Sequence, residues 1–234
     1  MKIAGLQKNS FIDYRGKIAA VIFTPGCNMN CYYCHNRSII CGAGCRSNYK
    51  TEEVLDMLSR RRKFLDGVVI SGGEPTLQPD LDLFIDKIKD MGYKVKLDTN
   101  GTNPLVVEHL VNSGRVDYVA MDIKAPFERY EEICGVEINL RNIERSLAFL
   151  MEGRVDYEFR TTVVPDLKEE DILAIAERIK GARLYILQQF RQPAAVDGIV
   201  DYRVLKAPHS DSFIIKLSEK VKEMVQQQEI RGIV

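Results

Sequence analysis

The chain has 234 residues, with 33 Lys and Arg against 33 Asp and Glu, 45% apolar and 28% charged. That length suits one domain, and the composition excludes disordered, collagen-like and coiled-coil chains. Zero net charge excludes a global basic field for nucleic acid. No apolar run reaches membrane-spanning length and the N-terminus lacks a signal-peptide pattern, so a cytoplasmic protein is expected, without membrane or nucleic-acid partners. Six cysteines in such a chain are seldom disulfides. Five of them crowd between Cys27 and Cys45.

Short apolar runs predict strands, and longer amphipathic patterns predict helices between them. In chain order, strands are expected over 18–24, 67–71, 93–98, 116–122, 157–164 and 184–190. Several lack strict alternation, as parallel strands buried on both faces do. A helix from Thr51 to about Arg62 takes Thr51 as its N-cap, with Glu52 and Glu53 in the first turn. Residues 80–91 place Leu81, Phe84, Ile85 and Ile88 on one face, and Pro104 opens a helix that Gly114 ends. Helices over 139–151, 168–179 and 212–228 complete the pattern, and 191–209 reads as a loop. Six βα units with right-handed crossovers predict an α/β open sheet or a partial (β/α)6 barrel. One domain is expected over 1–234, its core about 18–190 and a C-terminal extension over 191–234.

Unusual residues follow each strand: Cys27, Cys31 and Cys34; Gly72-Gly73-Glu74-Pro75; Asp98-Thr99-Asn100-Gly101; Asp122-Ile123-Lys124; Arg160; Gln188-Gln189-Phe190. Parallel α/β folds place active sites at the carboxyl ends of their strands, so these segments should share one mouth. The cysteines are spaced C-x3-C-x2-C. Thiolates are soft ligands for zinc or iron–sulfur clusters. Structural zinc wants four closed ligands, with His35 available as the fourth. Three cysteines on one loop also suit three corners of a cubic four-iron cluster, its fourth iron open. Both readings stand on the spacing alone.

The cysteine spacing, with Tyr33 before the third cysteine and Gly72-Gly73-Glu74 after the second strand, resembles the radical S-adenosylmethionine (SAM) superfamily over about residues 18–190. Ser10-Phe11-Ile12-Asp13, Gly16, Phe23-Thr24-Pro25-Gly26-Cys27-Asn28, Cys34-His35-Asn36, Asp98-Thr99-Asn100-Gly101 and Asp122-Ile123-Lys124 further resemble glycyl-radical-enzyme activating enzymes. The likeness is greatest to those serving anaerobic ribonucleoside-triphosphate reductase. Asp13-Tyr14-Arg15-Gly16 departs from the shorter turn of relatives, and no eight-cysteine insert is present.

The resemblance implies a partial (β/α)6 barrel, one [4Fe–4S] cluster on Cys27, Cys31 and Cys34, and SAM on the open iron. The reduced cluster would cleave the sulfur–C5′ bond, and the 5′-deoxyadenosyl radical would take a hydrogen atom from a glycine of a partner enzyme. A flavodoxin or ferredoxin would supply the electron. Cofactor contacts are expected from Tyr33, Gly72, Gly73, Glu74, Asp98, Thr99, Asn100, Asp122, Lys124 and Arg160. Lys124 and Arg160 are candidates for the SAM carboxylate, and Asp98, Thr99 and Asp122 for a monovalent cation. The blander reading makes Asp98–Lys124 or Asp122–Arg160 plain ion pairs. Cys41, Cys45 and Cys134 have no place in the motif; a second metal or incidental thiols are the options. The run Arg60-Arg61-Arg62-Lys63 reads as a solvated face. The rival enzyme class is a small-molecule radical SAM enzyme such as 7-carboxy-7-deazaguanine synthase; the non-enzyme rival is a zinc-stabilised binding module.

Overall fold

A computed structural model describes residues 1–40, 49–192 and 201–233. Eight strands form one sheet in chain order: β1 (Gly5–Ser10), β2 (Ala19–Thr24), β3 (Gly67–Gly72), β4 (Lys94–Thr99), β5 (Tyr118–Asp122), β6 (Asp156–Val163), β7 (Tyr185–Gln189) and β8 (Gln228–Arg231). β1 pairs antiparallel with β2, and every later pair is parallel. β1 and β8 are the two edges, so the sheet is open. The helices are α1 (Arg37–Ile40), α2 (Thr51–Arg60), α3 (Leu81–Asp90), α4 (Pro104–Asn112), α5 (Tyr130–Cys134), α6 (Leu140–Met151), α7 (Glu169–Arg178) and α8 (Asp211–Val221).

Successive strand residues point to opposite faces, and here the two faces differ in chemistry. Ala20, Ile22, Val68, Ile70, Val95, Leu97, Val119, Met121, Tyr157, Phe159, Tyr185 and Leu187 join one continuous apolar core with Leu58, Ile85, Leu110, Leu147, Ile175 and Leu217 of the helices. The alternate residues line the inner face. There Tyr14, Ala19, Val21 and Val69 make a small apolar cluster. Beyond it the inner residues are Lys96 and Asp98 on β4, Asp122 on β5, and Glu158 and Arg160 on β6. The six expected strands are β2 to β7.

The structure corrects the sequence reading in three places. Polar β1 (GLQKNS) is an edge strand with no apolar alternation to reveal it. The last helix ends at Val221, and Gln228 opens β8 rather than closing that helix. Backbone bonds from Gly181 N to Met224 O, Gln226 N to Ala182 O and Tyr185 N to Gln227 O draw this segment out of helical geometry. Thr51 is the first residue of α2 and not its cap; its hydroxyl donates instead to Met1 O at 2.8 Å. Among the described residues no helix is long and apolar enough to cross a membrane.

Candidate active site

The carboxyl ends of β2 to β7 surround a cavity of about 230 Å³. Cys27, Cys31, Tyr33, Cys34, Gly72, Gly73, Asp98, Thr99, Asn100, Asp122, Lys124 and Arg160 all line it. Glu74, expected beside them, does not.

The loop after β2 carries the three thiols and is fixed from several sides. Gly26 N donates to Ile39 O at 2.9 Å, Asn30 N to Cys134 O at 2.8 Å, and Cys34 N to Cys31 O at 3.1 Å. The glycines after β3 are required by this loop. A Cβ on Gly73 would lie 1.8 Å from Gly26 O; one on Gly72, whose φ is +121°, would lie 2.3 Å from Thr24 N. Glu74 N then donates to Gly26 O at 2.8 Å.

The fully buried Glu74 carboxylate turns away from the cavity. It accepts from Thr76 N (3.1 Å), Thr76 Oγ1 (2.6 Å), Thr99 Oγ1 (2.8 Å) and Asn100 N (2.7 Å). It thus ties the end of β3 to the end of β4. Burial holds its pKa above the ordinary value despite those four donors. Asn100 passes the link on, its Nδ2 donating to Asn28 Oδ1 at 2.9 Å.

Charges occupy the wall opposite the thiols. Arg160 Nε donates to Asp122 Oδ1 at 2.8 Å and its NH1 to Asp98 Oδ2 at 3.3 Å. Lys124 Nζ donates to Asp122 Oδ2 at 3.0 Å. The Asp122–Arg160 ion pair therefore forms, whereas Asp98 pairs with Arg160 and Lys96 rather than Lys124. Burial opposes ionisation of Asp122, but Arg160 and Lys124 outweigh it and hold the carboxyl well below its usual range. The same contacts keep Lys124 and Arg160 charged against burial. Two buried polar atoms lack a hydrogen-bond partner at this site: Tyr33 Oη and Asp98 Oδ1.

The thiols are not equivalent. Burial pushes Cys27 up to about 11 and raises Cys34. The neighbouring thiol of Cys134, fully buried at the end of α5, holds Cys31 below its ordinary value. Cys134 thus adjoins the triad; Cys41 and Cys45 lie outside the described residues. Among the described residues no three His, Cys, Asp or Glu side chains converge as on a single metal ion. Three soft thiols along one cavity wall fit a polynuclear iron–sulfur centre better.

Sequence reasoning passed over Ser71 and Thr162, which also line the cavity, as does Gln188 at the expected end of the sixth strand. Ser71, Asp98, Asp122, Arg160, Thr162 and Gln188 share the inner face, and the two-residue period of their strands is the signal that locates them. The Arg60 to Lys63 run is largely exposed, Arg60 pairing with Asp56 at 2.8 Å.

The radical SAM superfamily pattern matches residues 21–179. The chain belongs to that superfamily. Within it, a Methanocaldococcus jannaschii protein, named by inference as a glycyl-radical enzyme activating enzyme, is 37% identical over 99% of this chain and 96% of its own. The pyruvate formate-lyase-activating enzyme of Clostridium pasteurianum is 31% identical over 78% of this chain and 77% of its own. The chain is thus a radical SAM enzyme of the glycyl-radical activating group. The crystal structure of Streptococcus suis SuiB shares the fold, with TM-score 0.70 and 14% identity over 91% of this chain and 48% of that one. Family membership implies a [4Fe–4S] cluster and SAM, as the three cavity-lining thiols also suggest.

Proposed function

We propose that this radical SAM chain activates a glycyl radical enzyme, taking a hydrogen atom from a glycine Cα of its partner, and that the partner is anaerobic ribonucleoside-triphosphate reductase. The observation that carries the reading is the convergence of three thiols and two buried cations, Lys124 and Arg160, on one cavity at the strand ends. When bound, the cluster and SAM supply the 5′-deoxyadenosyl radical; the protein supplies position and electrostatics.

In this reading Cys27, Cys31 and Cys34 hold the cluster as thiolates. The neighbouring Cys134 thiol favours that state at Cys31. Gly72 and Gly73 let backbone approach the SAM amino group without a Cβ in the way. On the inner face Lys96, Lys124, Arg160 and Arg231 pair with Asp98, Asp122 and Glu158. Lys124 and Arg160 are the cations that face the cavity and would meet a ligand carboxylate there. Asp98 Oδ1 accepts no hydrogen bond and has Lys96 Nζ at 3.5 Å; it meets the SAM ammonium or, with Thr99 and Asp122, a monovalent cation. Tyr33 flanks the adenine. Glu74 contributes by holding Thr99 and Asn100 in place rather than by touching SAM. The chain works as one domain in the cytoplasm, with a flavodoxin or ferredoxin as its electron donor.

The test is anaerobic reconstitution with iron and sulfide, followed by SAM, dithionite and a purified anaerobic ribonucleotide reductase. Expected are 5′-deoxyadenosine by mass spectrometry and a glycyl radical signal by electron paramagnetic resonance, both lost on replacing any of Cys27, Cys31 or Cys34 by Ser. Nucleoside without a partner radical would overturn the named partner. Zinc without iron, and no nucleoside, would overturn the whole reading.

A further inference from the structure

Behind the cavity wall the charges continue along the inner face to the far edge of the sheet. Glu158 is fully buried. Arg231 of β8 reaches it with both terminal nitrogens, NH1 to Oε1 and NH2 to Oε2, each at 3.2 Å. Lys96 Nζ donates to Oε1 at 3.3 Å and Tyr118 Oη to Oε2 at 3.0 Å. Lys96 also donates to Asp13 O at 2.6 Å and lies 3.5 Å from Asp98 Oδ1. Arg160 NH1 stands 3.8 Å from Glu158 Oε1 while it donates to Asp98 Oδ2. Glu158 and the cavity carboxylates Asp98 and Asp122 therefore compete for the same guanidinium.

A buried carboxylate takes whatever cation is within reach, because an unpaired one is costly. Arg231 satisfies both Glu158 oxygens in a forked geometry that only arginine offers. We propose that Arg231 and Glu158 are positioning residues for SAM binding: Arg231 occupies Glu158, and this leaves Arg160 to Asp98, Asp122 and the cavity. Without Arg231, Glu158 draws Arg160 and Lys96 down the inner face. The cavity then loses its cation and Asp98 loses its alignment. An edge strand thereby sets the affinity of a site two strands away. The inference rests on the SAM-binding reading above.

The experiment measures equilibrium binding of radiolabelled SAM to anaerobically reconstituted protein at matched iron content. The proteins are wild type, Arg231→Gln, Arg231→Lys and Arg15→Gln. Arg15 is the control: it pairs with Glu229 of the same strand at 2.9 Å and with Gln227 at 3.3 Å, but its side chain is half-exposed and bonds to neither Glu158 nor Arg160. Arg231→Gln is expected to raise the Kd about three- to tenfold, the range of one ordinary net hydrogen bond, because the change reaches the cavity only through Arg160. Arg231→Lys should recover part of the loss and Arg15→Gln none of it, its Kd staying at the wild-type value. Equal weakening by Arg231→Gln and Arg15→Gln would show that β8 acts only as a strap and overturn the proposal. So would an unchanged Kd in Arg231→Gln, or failure of that variant to fold or load iron, which would mark Arg231 as structural. Wild-type protein that loads iron and binds no SAM would instead refute the functional reading itself.

Discussion

Replacing Glu74 by Gln separates two roles that the Gly-Gly-Glu motif allows. The carboxylate accepts four hydrogen bonds, two from Thr76 and one each from Thr99 and Asn100. An amide keeps one acceptor oxygen and puts an NH2 where the other stood. If the NH2 faces Asn100 N, one buried donor is orphaned; if it faces Thr76 N, one or more are. Each buried donor left unsatisfied costs about 1–3 kcal/mol. Relief of the buried charge, which raises the Glu74 pKa, offsets part of this. The net expectation is a loss of about 1–2 kcal/mol in the metal-free protein, or about 2–8 °C in Tm for a chain of this size. Differential scanning calorimetry at pH 7 on metal-free wild type and variant measures it. Thr76→Val, which removes one of the same donors, should behave non-additively with Glu74→Gln. An unchanged Tm together with lost SAM affinity would refute the reasoning, because it would place the carboxylate on the cofactor and not on the β3–β4 link.

Three further outcomes follow from the same geometry. Gly73→Ala drives a Cβ to 1.8 Å from Gly26 O, so the cysteine loop must move; iron retained after reconstitution should fall below half of wild type, and full retention would contradict the close approach. Cys134→Ala removes the neighbouring thiol that lowers the Cys31 pKa, so Cys31 in metal-free protein should alkylate several-fold more slowly at pH 7, read by peptide mass spectrometry; an unchanged rate would disprove that influence. Asp117 accepts from Lys89 Nζ (2.7 Å), Lys94 Nζ (2.8 Å) and Val95 N (2.8 Å), which outweigh its burial and lower its pKa. Its contribution is therefore complete above the ordinary carboxylate value of about 4 and is lost as pH falls through the lowered one. Asp117→Asn should cost about 1 kcal/mol at pH 7 and flatten the acid limb of the urea-midpoint profile; a limb of unchanged steepness would exclude it.

The reactive loop was legible because its chemistry is local: three thiols and two glycines lie on short contiguous segments. β2 to β7 were legible because both faces of a parallel strand leave apolar runs. β1 and β8 were not, since an edge strand of Gly, Gln, Lys, Asn or Glu carries no such run and is held by its neighbour's backbone. Gln228 also continues the helical period of α8, and only its register with Tyr185 makes it a strand. Glu74 sits beside two cavity-lining glycines in sequence, yet its own turn points inward. The four donors that decide this lie on residues 76, 99 and 100, and no local pattern reveals them.

The charged inner face was visible and went unread. Lys96 and Asp98, like Glu158 and Arg160, stand two residues apart in strands whose intervening residues, Leu97 and Phe159, are core. Alternation alone therefore puts each pair on the face away from the helices. Register across the sheet then sets Asp122 beside Arg160 and Tyr118 beside Lys96. One period thus divides the labour of the fold. The helix-facing residues bury apolar area and supply stability. The inner residues hold charges that are satisfied chiefly by other charges on neighbouring strands, so their arrangement is cooperative across the sheet. Substitutions on the first face should be felt as unfolding, and those on the second as displaced cations at the cavity, because a buried carboxylate released by one partner recruits the next.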